Sequence, residues 1–100
     1  MRIAIVGGVE RAEPELTRIA QALGHDLEYH PGHMGGRGAQ GLRRMIERCE
    51  LVVIVTDVNS HTAVQVAKRE ARASSRQVRI VRKCSSAFLR ALATELPRAS

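Results

Sequence analysis

The sequence predicts a single small doubly wound α/β domain: a four-stranded parallel sheet of order 2-1-3-4 with helices on both faces. Three observations predict it. Leu51 to Val55 is a run of five apolar residues, four of them β-branched, the pattern of a strand covered on both faces. Three further strand-like stretches alternate with four helical patterns along the chain. The strand-like stretches come in two kinds, two of them apolar throughout and two amphipathic.

Taken in order, Arg2-Ile3-Ala4-Ile5-Val6 is the first strand and Gly7-Gly8 follows it. Leu16, Ile19, Ala20 and Leu23 recur at i, i+3, i+4 and i+7, one face of a helix from Pro14 to Leu23. Glu13 and Glu15 complement its macrodipole, Pro14 suits the first helical position, and Gly24 ends it. Asp26 to His30 alternates polar and apolar, a strand with one wet face. Pro31 to Gly36 is too rich in Pro and Gly for regular structure and forms a loop. Leu42, Met45, Ile46 and Cys49 mark a second helix face. A third helix runs from about His61 to Ala73, presenting Val64, Ala67 and Ala71, and breaks at Ser74-Ser75. Gln77 to Arg82 is a fourth strand, less buried because it carries Arg79 and Arg82. Ser85-Ser86 caps a last helix bearing Phe88, Leu89, Leu92 and Leu96. One domain over residues 1–96 and a frayed tail over 97–100 are expected.

Right-handed crossovers then give a parallel sheet covered on both faces. The apolar first and third strands take the centre, and the amphipathic second and fourth take the edges. Chain direction reverses between the first and third strands, the crevice where such sheets keep ligands. An uncovered edge in so small a sheet also invites a second copy, so a homo-oligomer is expected.

Composition narrows the function classes. With 44% hydrophobic residues but only Tyr29 and Phe88 as aromatics, the core is aliphatic, and the stacking platforms of single-strand nucleic-acid binders are missing. No apolar run approaches the ~20 residues that span a bilayer. Met1-Arg2-Ile3 leads straight into a strand without a signal-peptide cleavage site, and the expected location is cytoplasmic. Cys49 and Cys84 form no framework and are expected reduced. Charge is uneven. Residues 1–60 carry seven Arg against eight Asp or Glu, a balance of −1, whereas residues 61–100 carry nine Lys or Arg against two Glu, a balance of +7. Either an anionic partner or a solvated Arg-rich surface fits that asymmetry.

Parallel strands put every strand-to-helix loop at one end. That edge therefore gathers Gly7-Gly8, His30 to Gly36, Thr56 to His61, and Lys83-Cys84-Ser85, while His25 and Cys49 fall at the opposite end. His30, His33 and His61 are candidate ligands for a transition metal or haem, since imidazole is the usual donor to both. Met34 and Cys84 are softer reserves. The plain alternative is three loop histidines bonded to nearby carbonyls, and no paired-cysteine zinc pattern is present. Gly7-Gly8 either lets backbone N–H groups approach an anion or is a tight turn. There is no G-x-G-x-x-G and no Walker lysine. Asp57-Val-Asn-Ser-His61 offers Ser60 or Asn59 as a helix cap, and alternatively Asp57 to orient His61. Lys83 and Arg82 either neutralise phosphate or carboxylate or form a plain solvated strand end.

Val6-Gly7-Gly8, the strand-end His30, Gly35-Gly36, Thr56-Asp57-x-x-Ser60-His61 and Lys68 on the next helix recur in an order and spacing that resemble the bacterial family known as domain of unknown function 2325. The resemblance covers Arg2 to about Leu92, and its most specific piece is the Asp57/Ser60/His61 cluster. It implies a small Rossmann-like or flavodoxin-like domain and raises the expectation of a haem- or metal-binding role.

The leading expectation is a non-catalytic binding or sensor module holding haem or a transition metal at the carboxyl edge. His30 and His61 are the primary ligands, with His33 in support. Asp57 orients His61, and Arg37 or Lys83 meets haem propionates or another anion. The alternative is a phosphate-ligand or nucleotide module, either a binding domain or an enzyme, using Gly7, Gly8, Ser60 and Lys83. Third comes nucleic-acid binding through Arg69, Arg72, Arg76, Arg79 and Arg82, which would be steeply salt-dependent. No nucleophile–base pair has convincing spacing, so turnover is not expected.

Overall fold

The structure, a computed structural model, describes residues 1–97. Its strands are β1 (Arg2–Val6), β2 (Asp26–His30), β3 (Leu51–Val55) and β4 (Gln77–Val81), and its helices are α1 (Glu13–Ala22), α2 (Gly38–Arg48), α3 (His61–Ala73) and α4 (Ser86–Glu95). All three strand pairings are parallel, and the order is β2-β1-β3-β4, as the hydropathy ranking predicts. Every side chain of β3 is buried, as are four of the five in β1. At about 1.5–3 kcal/mol per fully buried aliphatic side chain, these two strands form the frame on which everything else is hung.

Alternation along the central strands divides the core in two. Ala4, Val6, Val52 and Ile54 face α2 and α3, meeting Leu42, Ile46, Ala63 and Ala67. Ile3, Ile5, Val53 and Val55 face the other way, meeting Leu16, Ile19, Leu89 and Leu92 of α1 and α4. The small residues Ala63, Ala67 and Ala71, all fully buried, let α3 lie close against the sheet.

Differences from expectation are local. A single 3-10 turn, Glu10–Ala12, precedes α1, so Pro14 takes the second helical position, where no backbone donor is yet needed. Leu23 and Cys49 are the residues that cap α1 and α2, one step beyond the helices proper, although both still pack on the core. β4 ends at Val81, one residue early. Of the expected tail, Arg98 to Ser100 lie outside the described residues. His25 and Cys49 fall at the amino-terminal end of the sheet. His25 is buried and donates from Nε2 to the Ala93 carbonyl at 2.9 Å, tying α4 to the start of β2.

Candidate functional site at the carboxyl edge

The crevice between β1 and β3 is filled by the protein's own polar groups. Asn59 sits at its centre. Its Nδ2 donates to the Val55 carbonyl at 2.7 Å and the Val6 carbonyl at 3.3 Å, and its Oδ1 accepts from the Ser60 N–H at 2.8 Å. Ser60 caps α3 by accepting from the Ala63 N–H at 3.0 Å, and its hydroxyl donates to the Gly32 carbonyl at 2.8 Å. Three loops are thereby joined, those after β1, β2 and β3.

Both glycine amides expected to face an anion are used in this latch. Gly7 donates to the His30 carbonyl and Gly8 to the Val58 carbonyl, each at 2.8 Å. Gly7 and Gly32 hold φ of +89° and +97°, and a Cβ on either would run into the Asn59 side chain. Glycine is required at both places, for the backbone angle and for the close approach.

His30 belongs to the same construction. Its Nδ1 accepts from the Gly32 N–H at 3.0 Å, so Nε2 carries the proton and donates to the Gly38 carbonyl at 3.0 Å. One imidazole thus fixes the β2 loop and the start of α2, with both nitrogens occupied. The other expected ligands lie elsewhere. His33 is exposed, with Nε2 3.7 Å from Glu10. His61 is the exposed first residue of α3 and borders a shallow groove with Thr56, Gln65 and Lys68, a groove that His30 does not line. Asp57 pairs with Arg82 at 4.0 Å rather than orienting His61. Arg37 is exposed at the start of α2. Among the described residues no group of three or more His, Cys, Asp or Glu is placed to share a metal ion. A haem iron or metal on His30 would have to displace one of its two backbone partners, so His30 as arranged does not fit that group.

Beside the latch, on the α1/α4 side, lies a cavity of about 220 Å³. Ile5, Leu16 and Val55 floor it, Tyr29 and Cys84 wall it, and Gly8, Asp57, Val58, Lys83 and Ser85 reach its rim. Tyr29 donates its hydroxyl to the Gly8 carbonyl at 2.8 Å. Burial, followed by the charges of Glu10 and Glu13, pushes that phenol above its ordinary value. Burial likewise pushes the Cys84 thiol up to about 11, so it stays protonated at neutral pH and is a poor nucleophile. Lys83 is exposed and makes no ion pair among the described residues. Val58 at the rim is 64% exposed and holds φ of +44°, a strained conformation for a β-branched residue.

Four sequence candidates, Gly7, Gly8, Asp57 and Lys83, therefore meet at this cavity, while Ser60 and His30 serve the latch. Sequence reading missed Asn59 as a hub, having weighed it only as a cap. It missed Tyr29 and Val58 altogether. A lone tyrosine one residue from the end of an edge strand was a usable signal for the first. Nothing in the residue type announces a left-handed valine.

The architecture is that of a small doubly wound α/β domain with its cavity at the carboxyl edge, the place where such domains bind small ligands. Within that class the chain belongs to the bacterial family described as "uncharacterized protein conserved in bacteria" (DUF2325), whose match spans residues 2–96. Comparison with curated proteins and with solved structures gives no match.

Proposed function

We propose that the protein is a non-catalytic binding module whose ligand is a small, largely apolar molecule carrying one anionic group. The observation that carries this reading is the cavity over Ile5, Leu16 and Val55, with Lys83 at its rim. At about 220 Å³ it is smaller than the roughly 300–1,000 Å³ of pockets for drug-sized ligands, which favours a compact carboxylate or phosphate monoester over a nucleotide. Asp57 has Arg82 beside it, so the cationic end of Lys83 is left to the ligand. The strained Val58 at the rim supports the same place, because strained backbone clusters at ligand-binding sites.

The test is calorimetric titration and thermal shift with benzoate, hexanoate, inorganic phosphate and a nucleoside monophosphate. A small apolar anion should stabilise the fold, by about 2.7 kcal/mol at a hundred times its Kd. Ala12 also lines the cavity, so Ala12→Leu, which fills it, and Lys83→Ala should each weaken binding. If none of these ligands binds, or if Ala12→Leu leaves binding intact, the reading is wrong. The haem or metal reading is the lesser one, now resting on His33 and His61. It predicts a Soret shift with hemin that His61→Ala abolishes.

A further inference from the structure

We infer that the outer side of β4 and α3 is a docking surface for an extended acidic segment of another protein, one that carries apolar side chains and adds to the sheet as a fifth strand. β4 pairs with β3 on one side, and no strand pairs with its other side among the described residues. Its two residues on the α3 face, Val78 and Ile80, lie at or beyond the limit of what α3 covers. Ile80 is 53% exposed, and the two line an open groove of about 590 Å³ with Lys68, Arg72 and Arg76. Lys68 and Arg72 stand one turn apart on α3, and Arg76, in the turn before β4 with its guanidinium donating to the Glu47 carbonyl at 2.7 Å, lines the same groove, so basic groups border the apolar strip. A second groove continues it past Arg69 and shares Lys68 and Arg72. Neither groove has an acidic residue in its lining.

Two other occupants fit less well. Antiparallel pairing of β4 with a second copy would bring two such basic borders together and set the two Arg79 side chains close to each other, and like charges across a strand pair are destabilising. Single-stranded nucleic acid would want aromatic faces for its bases. Tyr29 lies across the sheet on β2, and Phe88 is on α4. The centre of this surface is aliphatic, which suits valine- or isoleucine-like side chains, and its border suits carboxylates. An open edge supplies the backbone hydrogen bonds of strand addition, while the flanking side chains set which sequence is taken.

The experiment uses the whole chain and an eight-residue peptide of alternating Val and Glu. Binding is followed by fluorescence anisotropy and located by amide chemical shifts. The expected result is binding whose shifts fall on Gln77 to Val81 and on the Lys68 to Arg76 stretch. It should weaken about tenfold or more in Lys68→Glu/Arg72→Glu and in Ile80→Glu. All three positions are surface sites, and circular dichroism confirms that the variants fold. The lysine-for-glutamate version of the peptide should not bind. Four results would overturn the proposal: no binding; equal binding by a Ser/Glu peptide, which removes the apolar element; equal or tighter binding by an oligothymidylate, which makes the surface one for nucleic acid; or self-association abolished by Ile80→Glu, which makes the occupant a second copy.

Discussion

Two constructions stand side by side at the carboxyl edge, and they use their polar groups in opposite ways. In the latch, the side-chain nitrogens and oxygens of Asn59, Ser60 and His30 face the protein's own backbone, and the amides of Gly7 and Gly8 are spent in the same manner. In the cavity, an aliphatic floor lies open beneath a lysine that has no ion-pair partner among the described residues. Residue types alone do not separate the two. A histidine at a strand end and a glycine pair are as suited to holding a fold together as to holding a ligand. What decides is whether their donors and acceptors are already satisfied.

The strongest way to break the latch is to add an atom to it. Gly7→Ala combines an unfavourable left-handed alanine with a collision against Asn59, and the expected loss is about 3 kcal/mol or more. Chemical denaturation should show it as a lower midpoint at unchanged slope. Removing the obstacle should recover part of the loss, so Gly7→Ala/Asn59→Ala must cost less than the sum of its single changes. Strict additivity would mean that the two residues do not touch. His30→Ala comes next. It leaves the Gly32 N–H and the Gly38 carbonyl without their partner and should cost about 2 kcal/mol. His61→Ala, at an exposed helix start, should change stability by less than about 0.5 kcal/mol. If the two histidine variants behave alike, the division between latch and open surface is wrong.

How far the sequence could be read follows from the same division. Sheet order was legible because β1 after Arg2 and all of β3 are apolar while β2 and β4 mix polar and apolar residues, and burial acts on consecutive residues of a central strand at once. Convergence of Gly7, Gly8, Asp57 and Lys83 was legible because parallel strands force their loops to one end. What could not be read was the direction in which each polar group points. His30 looks outward in a sequence. In the fold, a two-residue turn brings the Gly32 amide under its Nδ1, and the start of α2 brings the Gly38 carbonyl under its Nε2. Asn59 was hidden by its neighbour, since either residue could cap α3 and only packing shows that Ser60 does so.

On the cavity side the informative change is one that relieves strain. Val58→Gly frees a left-handed valine that is mostly solvent-exposed and should stabilise the protein by about 1 kcal/mol, the strain relieved being larger than the extra chain entropy of glycine. Thermal denaturation measures it, and a loss of stability would show that the valine side chain contributes packing at the rim.

The smallest expected effect lies at the two edges of the sheet, where the same contrast recurs. On the β2 edge Glu28 accepts two hydrogen bonds from Arg48 at the end of α2, at 2.6 and 3.3 Å. The β4 edge offers Ile80 and a row of cations with no carboxylate among them. Hydrogen bonding to Arg48 holds the Glu28 carboxyl below its ordinary 4.5, outweighing the desolvation that would raise it. A lowered carboxyl contributes stability that is present above 4.5 and is lost as the pH falls through its own depressed value. The pair is partly exposed and its contribution is reduced by solvent screening. Glu28→Gln should therefore be slightly less stable than the parent at pH 7, with the gap closing as the solution is acidified below 4.5. Denaturation midpoints across that range decide it. A gap that stays constant with pH would mean that Arg48 acts on β2 through its shape and not its charge, and the guarded edge would then differ from the open one in packing alone.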